Sequence, residues 1–156
     1  MRILICARIA FAAATACGTL SHAQGYRQLE LGAAVPLRCT LNISPSAKAS
    51  NLDMAGGENN ILVGTLTESC NASNGYVVQI ISSNKGQLIT TSGLSSSANY
   101  QVQYDDAEGV IANALVANRN QAQFARQGKL AVSVPANSQR PAGSYSDTLS
   151  IVISAK

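Results

Sequence analysis

The sequence predicts an all-β fold, a sandwich or a barrel. Short runs in which apolar and polar residues alternate recur along the chain. Clusters of Gly, Asn and Ser separate them, and no stretch carries the 3.6-residue period of a convincing helix.

The first element is not part of that fold. "MRILICARIAFAAATACGTLSHAQG" opens with Arg2, continues as a mostly apolar run over residues 3–17, and offers small residues at Ser21 and Ala23. This is the pattern of a secretory signal, with cleavage expected between Ala23 and Gln24. The apolar run, interrupted by Arg8, is too short to fill the roughly 20 residues of a bilayer-spanning helix. A lipoprotein cut before Cys17 is the weaker alternative, because Ala14 stands where a large aliphatic residue is usual. Removing residues 1–23 from the 156 leaves 133, the size of one domain and enough for a real core.

Next comes "QGYRQLELGAAVPLR". Leu29, Leu31, Ala33 and Val35 alternate with Gln28, Glu30, Gly32 and Ala34, a strand-like pattern placed at a free N-terminus. It reads either as a first strand of the domain's own sheet or as a strand meant for another molecule. Pro36 separates this arm, residues 24–35, from a body of residues 36–156.

Within the body, strands are expected at 36–43, 60–69, 75–82, 87–91, 99–105, 129–135 and 144–154. Tyr76, Val78 and Ile80 share one strand face; so do Tyr100, Val102 and Tyr104, and so do Leu130, Val132 and Val134. These sets are expected in the core. The segments "NASNG", "SSNKG" and "PAG" supply turn chemistry, with Gly accepting positive φ and Pro fixing φ. Residues 110–125 are Ala- and Asn-rich and fit either a strand with a long loop or a short helical excursion. The last segment, "SYSDTLSIVISAK", places Leu149, Ile151 and Ile153 on one face. A terminal strand this apolar must be paired or covered, or it templates pairing with another chain.

Composition narrows the function. Without Arg2 and Arg8, nine basic residues face eight acidic ones, so the mature charge is +1 and no basic stripe for nucleic acid is present. His22, Cys6 and Cys17 leave with the signal, so the mature chain has no His and no Trp. Its two cysteines, Cys39 and Cys70, are expected to pair as a disulfide in an exported protein. Closing a loop of about 30 residues stabilises by roughly 3–4 kcal/mol in the chain-entropy model. A zinc site would need two more ligands, and nucleophile–base catalysis would need a base that the chain lacks. No metal, cofactor or enzymatic activity is therefore expected. The acidic cluster Asp105, Asp106 and Glu108 reads as a solvated turn rather than a calcium loop, since it fits no EF-hand spacing. It is also no glycosidase pair, because no sugar cleft accompanies it. The sequons at Asn42 and Asn71 would mean little if the source is bacterial. Tyr26, Tyr76, Tyr100, Tyr104 and Tyr145 are candidates for core or interface.

The signal, the alternating arm, Cys39, Cys70 after a strand, and the terminal "PAGSYSDTLSIVIS" together resemble a chaperone–usher pilin, above all its spore coat protein U-like branch. The chain closes "SAK", without the penultimate Tyr common in fimbrial subunits. The resemblance implies an immunoglobulin-like sandwich lacking its last strand, with an N-terminal donor-strand arm. It implies an acceptor groove lined by Leu149, Ile151 and Ile153, filled first by a periplasmic chaperone. The donor residues Leu29, Leu31, Ala33 and Val35 of a neighbouring pilin subunit then replace the chaperone. Donor-strand complementation of this kind is a known case of β-augmentation. The partners implied are that chaperone, an outer-membrane usher and neighbouring pilins in a head-to-tail polymer that does not close. The destination implied is the periplasm and then a cell-surface fimbrium active in cell adhesion. The rival readings are a self-complemented secreted sandwich that binds a ligand or host surface, and a small secreted enzyme. A two-domain tip adhesin does not fit in 133 residues.

Overall fold

The computed structural model describes residues 25–91, 94–109 and 111–156. The expected signal, with its cleavage point at Ala23 and Gln24, lies outside the described residues. The chain divides into two units, the second being Val35–Lys156. In the first, residues 25–34 form no regular element.

The second unit is all-β. Its strands are β1 (Cys39–Pro45), β2 (Glu58–Cys70), β3 (Tyr76–Ser82), β4 (Gln87–Thr90), β5 (Ser97–Asn99), β6 (Gln101–Tyr104), β7 (Ala107–Gly109), β8 (Leu115–Arg119), β9 (Gln123–Val134), β10 (Tyr145–Ser146) and β11 (Leu149–Ala155). One short 3₁₀ turn, Ala47–Ser50, follows β1. Three open antiparallel sheets result, ordered β1-β2-β9-β6-β7, β11-β3-β8 and β10-β4-β5.

This order defines the fold. An immunoglobulin sandwich places strands A, B, E and D in one sheet and C, F and G in the other. Here β1, β2, β9 and β6 stand as A, B, E and D, while β3 and β11 stand as C and F. Among the described residues no strand stands where G would be, and β11 pairs with β3 alone. The fold is an immunoglobulin-like sandwich with open sheet edges.

The expected faces are where alternation puts them. Tyr76, Val78 and Ile80 are buried, as are Tyr100, Val102 and Tyr104 and, from β9, Leu130, Val132 and Val134. Three expectations change. The strand expected at 99–105 is broken at Tyr100, because β5 pairs with β4 and β6 with β9. The strand expected at 144–154 is likewise two strands, β10 on β4 and β11 on β3, with the chain changing sheets at Asp147 and Thr148. Within 110–125, the described residues contain β8 and the start of β9, which runs six residues further toward the N-terminus than expected. Its ladder with β2 is bulged at three places. Near two of them Asn60 and Ala125 take φ of 50° and 51°, and their amides donate to Ser133 Oγ and Ser69 Oγ, each at 2.8 Å. Side-chain hydroxyls thus replace the ladder bonds that bulges disrupt.

The turn before β3 depends on Gly75. Its φ is +83°, and a Cβ there would fall 2.0 Å from the Arg119 carbonyl oxygen of β8. Both the positive φ and the close approach exclude a side chain. Gly75→Ala is expected to cost at least about 1–3 kcal/mol, the scale of strained backbone. The midpoint of urea unfolding of the full chain checks this.

Candidate functional site

The open edges of the two large sheets face the same space. Ile43 and Pro45 of β1, Leu149 and Ile151 of β11, and Val63, Leu130 and Val132 line one cavity of about 270 Å³. Leu88, Tyr100 and Asp147 line the same cavity. At the opposite end of β11, Ala155 and Lys156 line a cleft of about 380 Å³ with Val35, Leu37 and Asn71. The C-terminal end of β1 therefore lies beside the start of β11, and the two strands run in opposite directions. They belong to different sheets and share no ladder. A groove with an apolar floor, flanked on each side by a strand with one edge outside any ladder, is the result.

The groove residues named from the sequence are placed as follows. Leu149, Ile151 and Ile153 are half-buried and pack against the core, while Ser150, Val152 and Ser154 are exposed. Leu149 and Ile151 line the 270 Å³ cavity, and Ile153 lies further along β11, opposite Val78. Of the arm residues, Leu29 and Leu31 are 84% and 89% exposed, and Ala33 is exposed too. Val35, also exposed, belongs to the second unit.

Cys39 and Cys70 stand opposite each other in the β1–β2 ladder and form a disulfide across 31 residues of sequence. Asn71 fixes the chain beside it. Its Nδ2 donates to the Pro36 carbonyl at 2.8 Å, and its Oδ1 accepts from the Arg38 amide at 2.7 Å. The sequon nitrogen is thus engaged in holding the start of β1. Peptide mass spectrometry of non-reduced, exported protein is expected to recover Cys39 linked to Cys70; free thiols at both would contradict it.

Two polar nodes were not anticipated from the sequence. The first surrounds Glu68, whose side chain is 0% exposed. It accepts from Tyr76 at 2.6 Å, from Tyr104, from Arg119 Nε at 3.1 Å and Nη2 at 3.0 Å, and from Arg126 at 3.4 Å. Arg119 and Arg126 also donate to Asp105, at 2.7 and 2.8 Å, and Arg119 lies 5.5 Å from the centre of the Tyr104 ring. Glu68 and Tyr104 come from one sheet, Tyr76 and Arg119 from the other, so the node fastens the two sheets together. Asp105 therefore faces guanidinium groups, while Asp106 and Glu108 are exposed. The three do not converge, and among the described residues no cluster of His, Cys, Asp and Glu could hold a metal ion.

The second node is Asp147, at the point where the chain changes sheets. Its Oδ2 accepts from Ser82 Oγ and from the Tyr100 hydroxyl, each at 2.5 Å. Its Oδ1 accepts from the amides of Asn84 at 3.0 Å and Thr148 at 2.7 Å. Burial raises the Tyr100 pKa, and the bond to Asp147 raises it further.

A parity signal for both nodes was present. Glu68 lies between Leu66 and Cys70 at the inward spacing, and Asp147 continues the odd-numbered inward face of Leu149 and Ile151. What alternation could not supply was the partners, which arrive from strands 8 to 65 positions away.

Burial alone would raise the Glu68 pKa, but hydrogen bonds from Arg119, Tyr104 and Tyr76 outweigh it and hold the carboxyl below its ordinary value. Its stabilisation is therefore present above the ordinary carboxylate pKa of about 4.3 and is lost as pH falls through the lower folded value. Burial, then the bond to Glu68, pushes Tyr76 up to about 12. That contribution holds below about pH 10 and is lost as pH rises toward the folded value. Thermal melting is expected to decline on acidification below about pH 4.3. Glu68→Gln is expected to lose about 3 kcal/mol at pH 7, because two part-buried guanidiniums lose a fully buried charged partner, and to show a shallower acid decline than the parent.

No protein-family model and no curated protein sequence matches the chain. Among solved structures, the crystal structure of the E. coli Hda pilus minor tip subunit, HdaB, aligns over 73% of this chain and 79% of that chain, with a TM-score of 0.42 and 11% identity. A likeness at that level carries no argument about function. Among the described residues no helix is long and apolar enough to cross a membrane.

Proposed function

We propose that this protein is a structural subunit of a bacterial chaperone–usher surface fibre, assembled by donor-strand exchange. The observation that supports the reading is the groove: among the described residues a sandwich without its seventh strand, an apolar floor, and on either side a strand with one open edge. An extended segment laid beside β11 would satisfy its free backbone groups and bring alternate side chains onto the apolar floor. The arm at residues 24–35 has that form. Leu29, Leu31 and Val35 would each contribute roughly 1.5–3 kcal/mol if fully buried, and Ala33 less. In this reading a periplasmic chaperone occupies the groove first, the usher passes the subunit outward, and the arm of the next subunit replaces the chaperone. The C-terminal motif favours the spore coat protein U-like branch as the subfamily.

Two experiments test it. Deleting residues 24–35 is expected to leave a subunit that binds its chaperone but cannot donate to a neighbour. Normal fibres from the truncated chain would remove the donor assignment, and a stable full-length monomer on gel filtration would favour a self-complemented sandwich. The acceptor is tested by a matched pair. Ile151→Asp places a carboxylate on the apolar side of β11 at a cost on the order of 3 kcal/mol or more, and is expected to abolish chaperone complexes and assembly. Ser150→Asp points to the exposed side and is expected to retain most of both. Equal tolerance of the two changes would exclude a one-sided groove.

A further inference from the structure

The geometry points to Asp147 as the residue that pins the register of the acceptor strand, an inference that rests on the donor-strand reading of the groove. Its basis is that the alternating pattern of β11 resists only some register slips. The strand pairs with β3 alone, in a register that sets Leu149 against Ser82, Ile151 against Ile80 and Ile153 against Val78. A one-residue slip would turn Ser150, Val152 and Ser154 inward, and the hydrophobic pattern resists that. A two-residue slip keeps the same parity. It would merely exchange Leu149, Ile151 and Ile153 for one another along the floor, and alternation offers no resistance to it.

Asp147 supplies what the pattern lacks. Its carboxylate binds Ser82, the residue that pairs with Leu149, and also the Asn84 amide in the turn that follows β3. That turn is itself braced, since Ser82 Oγ accepts from the Gly86 amide at 2.6 Å and the Ser83 amide donates to the Thr148 carbonyl at 2.9 Å. The Tyr100 hydroxyl, from the floor of the groove, binds the same oxygen of Asp147. A two-residue slip would break the bonds from Ser82, Asn84 and Tyr100 to Asp147, and that from the Ser83 amide to the Thr148 carbonyl, together. The three bonds that Ser82, Asn84 and Tyr100 donate to this one carboxylate are charge-assisted, come from outside β11, and are directional in a way that apolar packing is not. Asp147 thus decides which side chain of β11 faces which position of the incoming strand. It is a positioning residue for strand exchange.

The test reads register directly. Val152 and Gln79 are partners on the exposed face, so Val152→Cys with Gln79→Cys is expected to cross-link in the native register. Val152→Cys with Val77→Cys or Ile81→Cys reports a two-residue slip. Each pair is made in the full exported chain, with and without Asp147→Asn, and yields are read by peptide mass spectrometry. Binding of a labelled peptide of residues 24–35 is measured in parallel, alongside thermal melting. Asp147→Asn is expected to lower the in-register yield about tenfold, raise the slipped yields, and weaken the peptide by at least about tenfold. A lowered melting temperature with register and affinity unchanged would overturn the assignment. Where Asp147→Asn does not fold, Ser82→Ala and Tyr100→Phe each remove one donor: partial transfer of yield to the slipped pairs supports the pin, and undiminished native yield overturns it. A parent chain that fails to bind the peptide, with register still lost in Asp147→Asn, would retain the pin and overturn the donor-strand reading instead.

Discussion

Because β11 pairs only with β3, the backbone groups along its other side have no ladder partner, and the apolar side chains beneath it are only half covered. The other features of the groove follow from this deficit. β1 does not make good the loss: its full register with β2 and the Cys39–Cys70 disulfide hold it in the other sheet, and its open edge shares no ladder with β11. The two strands approach without pairing, and a cavity remains between them at the Leu149 end. An edge of this kind is a liability in a protein that works alone, and a template in one that assembles.

Two carboxylates specify how the strands of this open sandwich are arranged. Glu68 joins β2 and β6 to β3 and β8 with two tyrosines and two arginines, and Asp147 ties the start of β11 to the end of β3 and to Tyr100. Buried ionic groups add little net stability compared with apolar packing, because desolvation offsets their attraction. Their bonds are directional, however, and they specify one arrangement of the strands. Apolar packing between the nodes supplies the cohesion, from Leu66, Val78, Ile80, Val102 and Val132. An open groove is compatible with a fixed shape because Glu68 ties the two sheets to each other and Asp147 fixes the start of β11 beside the cavity.

Much of this was legible in the sequence, and the reason is the two-residue period of a strand. It located Tyr76, Val78 and Ile80, then Tyr100, Val102 and Tyr104, then Leu149, Ile151 and Ile153, each on the inward side. It failed where a strand changes sheets. Tyr100 and Asp147 sit inside unbroken alternating runs, so nothing local marks the point at which the chain leaves the β10-β4-β5 sheet or joins β9. It failed also for polar residues at inward positions. Asp105 reads as part of an acidic turn with Asp106 and Glu108, yet its carboxylate faces Arg119 and Arg126, 14 and 21 residues away.

What the sequence determined by itself is local: the strands, their inward faces, the turns at Gly and Pro, and two cysteines available to each other. Those depend on side-chain order and on backbone preferences that act over a few residues. The missing seventh strand was implied by a family resemblance and by no local pattern, and the way β1 and β11 flank the groove and the two carboxylate nodes gather their partners was decided only by tertiary structure. Each depends on which strands become neighbours, and that choice is made by the packing of two sheets, over separations that no local pattern encodes.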